Sequence, residues 1–307
     1  MTAVLLLALP GNEAMTAALA QKLGAEVGEA DVRAFPDGET YLRFLTDLPG
    51  RSLVLVGTLD HPNEKLLPLL FAASTARELG AIGVGLVAPY LGYMRQDCRF
   101  KPGEAVTSRE FARLLSEAFD WLITVDPHLH RYRSLDEIYC IPTRVAHAAP
   151  LIAEWFRANV ARPLLVGPDR ESEQWISAVA KDVGAPYAVL DKIRHGDREV
   201  EISSGTLQAL DADATPVVID DVIASGRTML EAIRAVVAHG GRNPVCAAVH
   251  GLFADASDVL LTQAGARVAT SNTIPHATNR IDVSGLLADA VRELALPSDS
   301  GWMAAGS

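Results

Sequence analysis

Val217-Val218-Ile219-Asp220-Asp221-Val222-Ile223-Ala224-Ser225-Gly226-Arg227-Thr228-Met229 reads in order as a buried strand, two adjacent carboxylates, a short loop and the start of a helix. Val217 to Asp220 suit a strand interior, and Met229-Leu230-Glu231-Ala232-Ile233 begins a helical pattern. The unpaired amides of a helix N-terminus and the helix dipole both favour an anion, so the loop suits a phosphate. Gly226 lets the backbone approach closely, and the Ser225 and Thr228 hydroxyls add donors. Asp220 and Asp221 can hold ribose hydroxyls or a metal above the same loop. The combination points to a pocket for a phosphorylated sugar. An acidic surface turn capping a helix is the simpler alternative.

The same strand-loop-helix grammar runs through the chain. Strands are expected at 4–9, 53–57, 82–87, 122–125, 164–167, 187–190, 217–220, 245–250 and 267–270. Helices are expected at 12–23, 64–79, 108–118, 146–159, 171–183, 229–239, 257–264 and 284–294. Because the strands are continuously apolar, they predict α/β architecture with mainly parallel sheets covered by helices on both faces. In such doubly wound folds, ligands sit at the carboxyl ends of the strands.

A weak internal echo sets strand 53–57, a helix, strand 82–87 and Arg95 beside strand 164–167, a helix, strand 187–190 and Lys192. It predicts two similar domains, 1–145 and 146–295. A flexible tail, 296–307, carries no evident chemistry.

The chain has 307 residues, with 27 Lys plus Arg against 38 Asp plus Glu, a net charge of −11. It therefore has no global attraction for nucleic acid or an anionic membrane, and anionic substrates must be held by local basic clusters. No apolar run reaches the ~18 residues that span a bilayer. Cys98, Cys140 and Cys246 are few and scattered, which predicts free thiols in a cytoplasmic protein and no disulfide framework or zinc site.

Two loops concentrate cations. Arg95, Arg99 and Lys101 lie in a Gly- and Pro-punctuated stretch after a strand, where guanidinium forks suit a polyphosphate. Lys192 and Arg194, two apart, share one side of an extended segment and can neutralise a transferring phosphoryl group. Read alone, the first loop is equally an ordinary solvated turn, and the second is more simply a charged hairpin tip. Asp126-Pro127-His128-Leu129-His130 ends another strand and can bind a divalent metal or phosphate oxygens. Beside phosphates the expected metal is Mg²⁺, which prefers oxygen ligands.

Together these motifs resemble the ribose-phosphate pyrophosphokinase (phosphoribosyl pyrophosphate synthetase) family. Their order matches as well: Phe35-Pro36-Asp37-Gly38-Glu39, Pro89 to Asp97, Asp126-Pro127-His128, Gly167-Pro168-Asp169, Asp191 to Arg194, the acidic loop, and Asn272-Thr273-Ile274-Pro275. The resemblance implies two phosphoribosyltransferase-type domains and pyrophosphoryl transfer from ATP to O1 of ribose 5-phosphate. It places Phe35, Asp37, Gly38 and Glu39 on adenine, from a neighbouring subunit, so a homo-oligomer is implied. Arg95, Gln96 and His128 would hold ATP, while His128 and Asp169 would place Mg²⁺. Lys192 and Arg194 would be catalytic. Asp220, Asp221, Ala224, Ser225, Gly226, Arg227 and Thr228 would bind ribose 5-phosphate.

The chain departs from the common family pattern at Ala224 and Arg227 in the sugar-phosphate loop, at Arg170 to Trp175, and at Cys98. Two alternatives stay open: a phosphoribosyltransferase that consumes phosphoribosyl pyrophosphate, and a non-catalytic regulatory homologue.

Overall fold

A computed structural model describes residues 4–129, 131–190, 192–195, 199–202 and 213–295, without the side chains of 171, 174, 192–195 and 199–202. The expected tail 296–307 and His130 lie outside the described residues. The chain divides into two compact units, 1–146 together with 284 onward, and 147–283.

The first unit runs β1 (Val4–Ala8), α1 (Glu13–Leu23), β2 (Glu26–Val27), β3 (Ala30–Ala34), β4 (Thr40–Phe44), β5 (Ser52–Val56), α2 (Pro62–Glu78), β6 (Gly83–Ala88), α3 (Thr107–Ala118), β7 (Trp121–Val125) and β8 (Thr143–Ala146). Its sheet has the order β2-β1-β5-β6-β7-β8, and every pairing is parallel. Successive strand residues point to opposite faces. Leu5, Leu6 and Leu7 are each no more than 1% exposed, so both faces are covered, as the continuous apolar runs require. β3 and β4 form a separate antiparallel hairpin, which packs on α2.

The second unit runs α4 (Ala149–Asn159), β9 (Pro163–Gly167), α5 (Glu173–Val183), β10 (Tyr187–Val189), β11 (Lys192–His195), β12 (Glu199–Ile202), β13 (Thr215–Ile223), α6 (Arg227–Ala238), β14 (Val245–Gly251), α7 (Ser257–Gln263), β15 (Arg267–Ser271) and β16 (Asn279–Ile281). The sheet order, β10-β9-β13-β14-β15-β16, is again wholly parallel, with β11 and β12 as a separate antiparallel hairpin.

The two units share one plan, though not the one the sequence echo drew. Among the described residues of each, a first strand and its edge partner precede the hairpin, and four more strands follow it. β5 therefore answers to β13, not to β9, and the Lys192 hairpin answers to the Phe35 hairpin. The helices α1 and α5 occupy equivalent places, and both stop on a left-handed glycine, Gly24 (φ 63°) and Gly184 (φ 74°).

The helix α8 (Ser284–Ala295) requires a correction. The sequence grouped it with 146–295, but it packs on α1, β7 and β8 of the first unit. It fills there the place that α4 fills beside α5 in the second. The reason is its apolar side: Leu287, Ala288, Ala290 and Val291 are buried. Arg292 donates to the Lys22 carbonyl, and Glu293 pairs with Arg144. The boundary expected at 145/146 falls at the end of the edge strand β8.

Candidate active site

In the second unit, β13 carries Asp220 and Asp221 toward its carboxyl end, and Ala224–Gly226 join it to α6. Gly226 is the residue before the helix and holds φ 67°, a left-handed conformation that disfavours side chains. The first intrahelical bond runs from the Leu230 amide to the Gly226 carbonyl, 2.8 Å. The amides of Arg227, Thr228 and Met229 thus precede the helical ladder and face the loop end. Ser225 and Arg227 are exposed and Thr228 is half-buried, so all three carry donors that solvent or a ligand can reach.

Asp220 sits in a strongly negative setting. Burial first, then the charges of Asp221 and Asp169, push its carboxyl up to about 8. Its Oδ1 accepts a bond from the Asp221 amide, 3.0 Å, which opposes the rise. Asp169 follows β9, the strand beside β13, and its carbonyl accepts from the Ser172 hydroxyl at 2.6 Å. The structure therefore brings Asp169, Asp220, Asp221 and the 224–228 loop to the carboxyl ends of the neighbouring strands β9 and β13. Lys192 and Arg194 lie on β11, two residues apart, but their side chains are outside the described residues.

The floor of this loop is a segment that sequence reading missed. The Leu252 and Phe253 amides donate to the Ile223 carbonyl, and the Ala254 amide donates to the Ala224 carbonyl at 2.9 Å. Ser257 adds a hydroxyl bond to the same Ala224 carbonyl, 3.3 Å. A side chain at position 226 would place its Cβ 2.7 Å from Ser257 Cβ. Phe253, Asp255 and Ala256 all hold positive φ, between 47° and 56°, so backbone strain gathers directly beneath the loop. Nothing in the local sequence joins 224–226 to 252–257.

In the first unit, Phe35 to Glu39 form the tip of the β3–β4 hairpin. The tip is closed by Phe35 N–H to Glu39 O at 2.7 Å and Gly38 N–H to Phe35 O at 2.9 Å. All five tip residues are exposed. The Phe35 ring meets Tyr41 edge-on at 5.9 Å, and the Arg33 guanidinium lies 5.2 Å from the Phe35 centroid and 4.2 Å from that of Tyr41.

Arg95 is exposed and Gln96 half-buried in the loop after β6. Gln96 Oε1 accepts from the Thr107 hydroxyl, 3.1 Å, and its carbonyl accepts from the Ser108 amide, 3.3 Å. Arg99 Nε bonds the Glu104 carbonyl at 2.8 Å, so this guanidinium is partly committed to the turn. His128 is half-buried in the loop after β7, the neighbour of β6. Among the described residues, no group of three His, Cys, Asp or Glu could hold a metal ion by itself.

Residues 4–118 match the N-terminal domain of ribose phosphate pyrophosphokinase, and residues 134–284 match the phosphoribosyl transferase domain. A ribose-phosphate pyrophosphokinase of Methanopyrus kandleri is 34% identical over 281 residues, covering 90% of this chain and 94% of its own. The corresponding protein of Sulfurisphaera tokodaii is 32% identical over 256 residues, 82% of this chain and 86% of its own. Phosphoribosylpyrophosphate synthetase from Mycobacterium smegmatis has the same fold, with a TM-score of 0.81 at 22% identity over 96% of this chain and 99% of its own.

Proposed function

Because the chain belongs to the ribose-phosphate pyrophosphokinase family, we propose that it transfers the pyrophosphoryl group of ATP to O1 of ribose 5-phosphate, forming phosphoribosyl pyrophosphate and AMP. The observation that carries the residue assignment is the passage from Asp220-Asp221 through a left-handed glycine into the N-terminus of α6. The 5-phosphate lies against the amides of 227–229, the Ser225 and Thr228 hydroxyls and the Arg227 guanidinium. Asp220 and Asp221 accept hydrogen bonds from the ribose hydroxyls.

O1 attacks the β-phosphorus of ATP. The O1–Pβ bond forms, the bond from Pβ to the α,β-bridging oxygen breaks, and AMP leaves with that electron pair while O1 loses its proton. Charge builds on the transferring group, so positioning and cations supply most of the acceleration. Lys192 and Arg194 take that part. Arg95, Gln96 and His128 hold the triphosphate, while Phe35, Asp37, Gly38 and Glu39 receive the adenine of a neighbouring copy. The protein is thus at least a dimer, and a fully active monomer in sedimentation would contradict the assignment.

Mg²⁺ suits the oxygen-rich setting, where burial and the charges of Asp221 and Asp169 raise the Asp220 carboxyl. His128 and Asp169 would hold it, with further oxygens from the phosphates; it would neutralise charge on the transferring group. The three cysteines form no disulfide, which fits a reducing cytoplasm where ATP is available.

Incubation with ATP, Mg²⁺ and ribose 5-phosphate tests the reading directly. AMP appearing in equal amount to phosphoribosyl pyrophosphate is expected. Pyrophosphate released only when a base is added, or no turnover at all, would overturn it.

A further inference from the structure

The loops after β6 and β7 are not independent. Tyr132, 8% exposed, reaches across with its hydroxyl to the Asp97 carbonyl at 3.1 Å, the Ser108 hydroxyl at 3.2 Å and Arg109 Nε at 3.4 Å. Beside it, Arg131 Nη1 meets Asp97 Oδ1 at 2.7 Å. The Asp97 side chain is only 3% exposed, whereas that of Arg131 is 53% exposed. The Arg131 guanidinium also lies over the Phe100 ring, 5.1 Å from its centroid. A buried carboxylate and a buried phenol are thus spent on joining residues 97–100 to residues 131–132. Each attachment point adjoins a residue assigned above to ATP, with Gln96 before Asp97 and His128 shortly before Arg131.

We propose that Tyr132 and the Asp97–Arg131 pair form a latch that holds the Arg95-Gln96 and His128 loops at one spacing, the spacing that suits a triphosphate. This rests on the assignment of those loops to ATP. The three are positioning residues, since they act through Arg95, Gln96 and His128. A hydroxyl bonded to three groups fixes the loop carbonyl to the N-terminal turn of α3 as well as to the second loop. The cost of ordering both loops is thereby met in the fold and not on nucleotide binding. Tyr132, Asp97 and Arg131 belong to the same unit as Arg95, Gln96 and His128, whereas the sugar-phosphate loop belongs to the other, so loss of the latch is expected to separate the two substrates.

Tyr132→Phe keeps the ring and removes only the hydroxyl. Arg131→Met leaves the buried Asp97 carboxylate without its guanidinium, and Arg131→Lys restores the charge. Tyr132→Phe and Arg131→Met are expected to raise KM for ATP by about fivefold or more, the scale of one lost hydrogen bond. KM for ribose 5-phosphate should stay within about twofold on the same scale. Arg131→Lys should recover part of the ATP effect.

Amide hydrogen exchange at 95–98 and 131–133 should speed up together in Tyr132→Phe, with β1 and β5 unchanged. Unchanged exchange at both loops would overturn the latch, as would an equal rise in both KM values. If the wild-type protein made no AMP, the functional reading would fall, and the exchange result would still decide the latch.

Discussion

Asp220 shows the tension between stability and use at a single residue. Its carboxyl is pushed up to about 8 by burial and by the neighbouring carboxylates, far above an unfolded value near ~3.9. The folded chain therefore binds more protons than the unfolded chain between those values. Its stability falls as pH rises through that window. Asp220→Asn should raise the melting temperature of the ligand-free protein at pH 8 and flatten its decline between pH 5 and 8, while sugar turnover collapses. Parallel melting curves for variant and wild type would show that the carboxylate is not held against its charge.

Gly226 makes a second case at this scale. Gly226→Ala meets both a left-handed backbone and Ser257 Cβ at 2.7 Å. A penalty of about 1–2 kcal/mol is expected from the backbone alone, with a raised KM for ribose 5-phosphate and little change for ATP. Adding Ser257→Gly relieves the clash but not the dihedral, so the double variant should regain stability only in part. Complete recovery in urea titration would place the whole cost in the contact.

Among the elements, those that were legible in sequence share one property. β1, β5, β6, β9 and β14 are runs of apolar residues because both their faces are covered, and such runs are hard to read otherwise. The hairpins lacked that mark. β3 is Ala-Asp-Val-Arg-Ala, half-buried at best, and β4 has no fully buried residue, so neither shows a continuous core pattern. The short edge strands β8 and β16 escaped for the same reason. The Asp220–Thr228 loop was readable since its chemistry is contiguous. Its floor at 252–257 was not, because that contact joins residues about thirty apart through the fold.

The hairpin β11–β12 also places Lys192 and Arg194 on one face of a strand, outside the central sheet and close in sequence to β10. Lys192→Ala should then lower kcat by orders of magnitude and leave sugar affinity nearly unchanged, as measured by single-turnover kinetics beside equilibrium binding. Comparable losses in both would make Lys192 an anchor for ground-state phosphate.

At the level of the whole molecule, the sequence marked 284–294 as a helix but could not show what it packs against. The answer is α1 and the β7–β8 edge of the first unit. A chain ending at Val283 should lose protection in the first unit's strands. Leu287 and Val291 each contribute roughly 1.5–3 kcal/mol of burial, a large share of the usual margin of roughly 5–15 kcal/mol. Hydrogen exchange should then show β1 and β5 to β7 opening while β13 to β15 remain closed. Equal protection of both sets would mean that α8 is dispensable.

In gene order, the second unit is an insertion within the first, opened after β8 and closed by α8. During synthesis the early strands must wait for their lid. At roughly 5–20 residues per second, the intervening 147–283 delays it by roughly ten seconds. Throughout that interval the apolar flank of α1 stands open on the ribosome, a surface that a chaperone would find before α8 does.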